Sequence, residues 1–152
     1  MLVHVEILYR SNNILRGYYY NVKHVDKVVV FFHGYTGNKT EHHGHFRFFS
    51  RMLANHNIAS LRMDYACNGE SDGEFSDFLF DEALDDAKRM VAWANQLPHK
   101  EVIVLGYSMG GLIASLIASD VNITKLILWA PSGGLYEKVK STFDVCTKEK
   151  GG

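Results

Sequence analysis

The sequence predicts a layered α/β domain, with parallel inner strands between helices and an antiparallel hairpin in front. Three observations carry that prediction. Continuous apolar runs of strand length recur along the chain, amphipathic stretches with helical spacing separate them, and the first two β-rich stretches meet at a short polar turn. Strands separated by helices of this length pair parallel, because each crossover must return over the sheet before the next strand begins.

Leu2 to Tyr9 and Ile14 to Val22 form the expected hairpin, with Ser11-Asn12-Asn13 supplying turn residues. Lys27 to Phe32 is almost wholly apolar, the pattern of a strand buried on both faces. Phe46, Phe49 and Leu53 then repeat at helical spacing, so a first helix is expected to end near Asn55 to Asn57, before a second inner strand from Ile58 to Tyr65. The longest helix is read from Phe80, Ala83, Leu84, Ala87, Met90, Val91, Ala94 and Leu97. Asp81, Asp85, Asp86, Lys88 and Arg89 are assigned to its opposite, solvent side. Its acids lead, its cations follow, and Pro98 stops it. A strand from Glu101 to Leu105, a helix from Met109 to Ala118 and a strand from Lys125 to Ala130 complete the pattern. The last strand lacks the alternation of an edge facing water, so it calls for cover on both faces and invites self-association if left bare.

At 152 residues, one domain is expected. Hydrophobic residues make up 47% and charged residues 22%, a globular composition, and a net charge of −1 gives no reason to expect nucleic acid or an anionic membrane as partner. The first residues show no basic region followed by an apolar stretch, and no later run reaches bilayer length. With only Cys67 and Cys146, and no composition that demands a disulfide, the expected location is the cytoplasm.

Chemistry enters at Gly106-Tyr107-Ser108-Met109-Gly110. A serine hydroxyl is a poor nucleophile near neutrality, so it needs a base within reach and donors for the oxyanion it creates. Gly106 and Gly110 allow a sharp strand-to-helix turn with Ser108 at its apex. Chance alone would place this pentapeptide in about 5% of chains this long, so the motif by itself decides little. Its setting decides more, because Val102 to Leu105 precede it as a strand and Leu112, Ile113, Leu116 and Ile117 follow as a helix. The plain alternative is a glycine turn with an incidental capping serine. A dinucleotide site fits worse, since the second glycine of the Gly-x-Gly-x-x-Gly pattern is absent.

A second loop agrees. His33-Gly34-Tyr35-Thr36-Gly37-Asn38-Lys39 leaves the buried strand, and Arg62-Met63-Asp64-Tyr65 leads to Gly69-Glu70-Ser71-Asp72-Gly73, before the elbow and Leu128-Trp129-Ala130-Pro131. From about Lys27 to Gly133 the chain resembles the α/β-hydrolase superfamily, and more closely the cinnamoyl (feruloyl) esterases grouped with serine aminopeptidase-like hydrolases. The resemblance implies a truncated α/β-hydrolase fold that lacks the last strands and the lid. It implies Ser108 as nucleophile, the backbone N–H groups of Tyr35 and Met109 as oxyanion hole, and Gly34, Gly106 and Gly110 as loop and elbow glycines. The substrate would be a small-molecule ester, with no metal or organic cofactor. His33 would shape the oxyanion loop without serving as base, and Asp64 would end its strand and fix the turn into Gly69. Cys67 stands where similar proteins have glycine, and Asn68 after it tolerates left-handed backbone.

His42, His43 and His45 cluster, but without a converging scaffold they read as a solvated loop and not a metal site. Phe78, Phe80 and Trp93 read as core, and Cys146 as a free thiol. All eight histidines precede Ser108, and the acids after it are Asp120, Glu137, Asp144 and Glu149. The resemblance puts the triad acid and histidine after the serine, on strands beyond Lys125 to Ala130. Residues 1–134 are therefore expected to be the N-terminal part of a hydrolase domain, and 135–152 the start of a lid or linker, or a divergent tail. Such a chain would be inactive alone. A non-catalytic α/β fragment or interaction module, and a peptidase or monoacylglycerol lipase-like member of the superfamily, stay open as alternatives.

Overall fold

The computed structural model describes residues 1–134, which form one six-stranded mixed sheet in the order β1-β2-β4-β3-β5-β6. The expected lid or tail segment, with Glu137, Asp144, Cys146 and Glu149, lies outside the described residues. Strands β1 (Leu2–Tyr9) and β2 (Asn13–Tyr20) make the hairpin, and the turn between them holds Ser11 and Asn12 at φ 46° and 73°. Positive φ at both positions matches the twist of paired strands. The second strand ends at Tyr20, two residues earlier than expected, where the Asn21 N–H turns to the Met1 carbonyl.

Four parallel strands follow: β3 (Lys27–Phe32), β4 (Ala59–Met63), β5 (Glu101–Tyr107) and β6 (Lys125–Trp129). The hairpin joins them through an antiparallel contact of β2 with β4. Alternation along β3 shows why apolar runs were needed. Val28, Val30 and Phe32 enter the core beneath α2 (Phe80–Asn95) and α3 (Met109–Ile117), while Val29 and Phe31 meet Phe46 of α1 (His45–Asn55) on the opposite face. Burying each such side chain contributes on the order of 1.5–3 kcal/mol.

Two sequence expectations need correction. Asp86 does not face solvent: it is 2% exposed, and its carboxylate accepts the Ala66 N–H at 2.9 Å. It lies three residues after Ala83 and four before Met90, on the buried stripe of α2, where a polar group persists because a loop amide needs an acceptor. In the turn after β4 the positive φ falls on Cys67, at 65°, and on Gly69, at 53°, and not on Asn68. Phe78, Phe80 and Trp93 pack half-buried against the core, as expected.

β6 is the last strand of the described sheet. Leu126, Ile127 and Leu128 are 36%, 45% and 43% exposed, although their sequence is that of an interior strand. Among the described residues, no helix is long and apolar enough to cross a membrane.

Candidate active site

Three loops at the C-terminal ends of the parallel strands build one region, the place where open α/β sheets gather their functional groups. The first is the turn from β5 into α3. Ser108 sits there at φ 53° and ψ −117°, left-handed backbone that a side-chain-bearing residue adopts only when its surroundings hold it. The holding contacts are specific. A Cβ on Gly106 would stand 2.3 Å from the Gly110 carbonyl oxygen, and one on Gly110 would stand 2.0 Å from the Phe32 carbonyl oxygen. Helix α3 thus rests directly on β3 and β5, which only glycine permits. The Ser108 N–H donates to the Trp129 carbonyl at 3.1 Å, and its own carbonyl accepts from the N–H groups of Gly111, Leu112 and Ser132.

Ser108 does not cap α3 with its side chain. Its Oγ lies 3.0 Å from the Ser132 hydroxyl, and among the described residues no histidine or carboxylate hydrogen-bonds it. The first N–H groups of a helix have no intrahelical partner, so the start of α3 presents free donors beside the hydroxyl.

The second loop follows β3. A Cβ on Gly34 would lie 3.4 Å from the Ser108 Cβ, which places this loop against the elbow. Glu41 holds it there. One carboxylate oxygen accepts the Gly34 N–H at 2.8 Å, the other accepts the His42 N–H at 3.1 Å, and the residue is only 9% exposed. Neither the Tyr35 nor the Met109 N–H has an acceptor among the described residues. Tyr35 points its ring away, into contact with Phe75 and Phe78 at centroid distances of 5.8 and 6.2 Å.

His33 is fully buried, and both its ring nitrogens are engaged. Nδ1 lies 2.9 Å from the Gly34 carbonyl, and Nε2 accepts the Tyr65 N–H at 3.4 Å. Burial pushes its pKa below the usual histidine value, so the neutral tautomer with the proton on Nδ1 satisfies both contacts. That geometry suits a residue shaping the loop.

The third loop follows β4, and Asp64 ties it to the second. Its fully buried carboxylate accepts the Lys39 N–H at 2.6 Å, the Lys39 ammonium at 2.7 Å and the Glu70 N–H at 2.8 Å. Between the two loops a cleft of about 290 Å³ is lined by Thr36, Gly37, Asn38, Cys67, Asn68, Gly69 and Phe75. On the other side of the elbow, Tyr107, Trp129, Phe49 and His45 make a run of ring contacts. The His42 and His43 rings, 4.9 Å apart, are exposed near the start of α1.

Sequence reading placed Ser108, Gly106, Gly110, Gly34, Tyr35 and Met109 in this region, and the structure brings them together. It did not single out Glu41 and Ser132. Both lie in loops, where no periodicity marks a buried polar side chain. For Glu41 the available signal was an acid a few residues beyond a glycine-rich turn.

Residues 23–148 match the family model for serine aminopeptidase, S33. A Mycoplasma pneumoniae protein described as an esterase/lipase is 30% identical over 129 residues, covering 80% of this chain and 44% of that protein. The Pyrococcus furiosus esterase Pf2001 superposes with a TM-score of 0.70 at 28% identity, over 81% of this chain and 46% of its own. Est1E of Butyrivibrio proteoclasticus, in a structure with ferulic acid bound, gives a TM-score of 0.76 at 25% identity, over 91% of this chain and 56% of Est1E. The chain thus spans about half the length of the relatives it matches. Its family model, its sheet order and its esterase relatives agree: the chain belongs to the serine aminopeptidase S33 family of α/β hydrolases.

Proposed function

We propose that the chain carries the nucleophile and oxyanion-binding half of a serine carboxylic-ester hydrolase of the cinnamoyl (feruloyl) esterase type. The observation behind this reading is Ser108, held in left-handed backbone at the start of α3 with the Gly34 loop packed against it. Ser108 Oγ attacks the ester carbonyl carbon, and its proton passes to a general base. The carbonyl oxygen becomes an oxyanion held by the Tyr35 and Met109 N–H groups. Collapse expels the alcohol, protonated by the conjugate acid of that base, and water then cleaves the acyl-enzyme by the reverse roles. The cleft lined by Thr36 and Phe75 does not include Ser108 in its walls, and it adjoins the site through Tyr35, whose ring meets Phe75.

No histidine follows Ser108 in the 152 residues, and none hydrogen-bonds it among the described ones. The base and its acid are therefore assigned to polypeptide beyond this sequence. Alone, the chain should run no faster than oxyanion binding permits, roughly 10³–10⁴ over water. The aromatic-acid preference is drawn from resemblance and from Est1E, whose structure holds ferulic acid.

The test is hydrolysis of a short activated aryl ester by the purified chain, beside Ser108→Ala. A slow rate that vanishes in the variant supports the reading. An equal rate in both overturns it.

A further inference from the structure

The face of the sheet that carries α1 has a second feature, two strands away from the elbow strand. Helix α1 covers β3 and β4, the residues of β2 on this face are half-buried, and the outer strand is bare: Leu2, His4, Glu6 and Leu8 of β1 are all exposed on alternate positions. Helix and hairpin therefore form a step, and cations gather at its corner.

Arg62 of β4 is 3% exposed. Its guanidinium lies 5.6 Å from the Tyr18 ring centre, and its one hydrogen bond to protein is a long one, from Nη1 to the Lys39 carbonyl at 3.3 Å. Its Nε is buried without any partner. A buried guanidinium ordinarily meets a carboxylate, because a charge taken from water must be compensated. Among the described residues, Arg62 forms no salt bridge. The nearest acid, Asp64, is already committed to Lys39 and two backbone amides.

Two more arginines stand over the same spot. The Ser50 and Ser60 hydroxyls, 2.5 Å apart, pin α1 to β4. The helix returns antiparallel to the strand, and one helical turn rises about as far as two strand residues. Arg47, three residues before Ser50, is thereby brought to the level of Arg62, two residues after Ser60. Arg51 lies one turn further along the same side. Both side chains are exposed, and neither pairs with a carboxylate among the described residues. The closeness is felt electrostatically: burial first, and then Arg47, with Arg51 adding to it, holds the Arg62 guanidinium below its ordinary value.

We propose that Arg47, Arg51 and Arg62 form a binding site for a phosphate-class oxyanion at the step between α1 and β2. Guanidinium groups present planar pairs of N–H donors that match two oxygens of a tetrahedral oxyanion, and a dianion answers a cluster of cations better than chloride does. Tyr18 forms the floor of the site. The proposal is independent of the role assigned to Ser108.

The arginine side-chain Nε–H resonances of the isotopically labelled chain give the test. Sodium phosphate is titrated against sodium chloride at matched ionic strength. The Arg62 Nε–H signal should shift saturably with phosphate. In Arg47→Ala/Arg51→Ala, whose backbone amide spectrum reports the fold, the apparent affinity should fall at least tenfold. No saturable shift beyond the chloride control, or an unchanged affinity in a folded double variant, overturns the proposal.

Discussion

Substituting Gly110 by alanine tests whether the elbow is held by backbone contact. A Cβ there would meet the Phe32 carbonyl oxygen at 2.0 Å, its carbon at 2.5 Å and the His33 oxygen at 2.8 Å. Real Cβ atoms do not approach backbone oxygen so closely, so α3 must shift by roughly 1 Å away from β3, at the upper end of the about 1–3 kcal/mol that overpacking costs. Against this, alanine in a helix gains about 1 kcal/mol over glycine. The net expectation is a loss of about 2 kcal/mol. Gly111→Ala is the internal control, since it lies on the same helix and takes the same helical gain. There the Pro131 Cβ and Cα lie at 3.0 and 3.1 Å and the Gly106 carbonyl oxygen at 3.2 Å, so the neighbours must give by only a few tenths of an ångström. Urea unfolding with linear extrapolation reads both, with an unchanged slope as the sign that the two states are the same. If Gly110→Ala lies within about 0.5 kcal/mol of Gly111→Ala, the account of the elbow as a direct backbone contact is wrong.

Three further outcomes are expected. Lys39→Met strands the buried Asp64 carboxylate and should cost about 3 kcal/mol, and Asp64→Asn added to it should recover part of the loss in a double-mutant cycle. Burial raises the Asp86 pKa from 3.8 to about 6, despite the Ala66 amide and Arg89, so between about pH 4 and pH 6 the unfolded chain is ionised while the folded one keeps its proton. Wild-type stability should accordingly fall by up to about 3 kcal/mol relative to Asp86→Asn as pH rises through that window and stay level above it, and parallel curves for the two proteins would refute this. Self-association through β6 is proposed from its uncovered Leu126, Ile127 and Leu128, and sedimentation should show concentration-dependent growth that Ile127→Lys reduces. A wild-type monomer at every concentration counts against it.

How far the sequence revealed this molecule depends on which force placed each residue. Strands and helices were readable to within about two residues because burial writes a period into the chain, as Val28 to Phe32 and the Ala83 to Ala94 stripe show. At Asp86 two signals in the sequence conflict, since its spacing from Ala83 and Met90 sets it on the buried stripe while its charge argues for solvent. The Ala66 amide that satisfies it is twenty residues away, and no local pattern announces such a pairing. Ser132 meets Ser108 across 24 residues and is hidden for the same reason, whereas Glu41 binds its own loop, at Gly34 and His42, where only an acid beyond a glycine-rich turn marks it. Ser108 was legible because its motif is a local steric solution, in which glycine, serine and the strand-to-helix junction are neighbours in sequence.

The elbow and the uncovered strand, which the sequence presents as separate puzzles, are mechanically joined. The Ser108 N–H ends on the Trp129 carbonyl at the end of β6, and the Ser132 N–H just beyond returns to the Ser108 carbonyl. The Ser132 hydroxyl adds a third link at the serine Oγ. The left-handed backbone at Ser108 is a strained conformation of order 1–3 kcal/mol, and it persists only while such contacts over-determine it. One of those three links comes from the least covered strand of the sheet, where local opening costs least, and the other two come from Ser132 just beyond it. Whatever polypeptide covers β6, whether a continuation of the chain or a second copy, therefore also tightens the frame around the proposed nucleophile. Covering the strand and holding the serine ready for attack would then be one event, carried by two backbone hydrogen bonds.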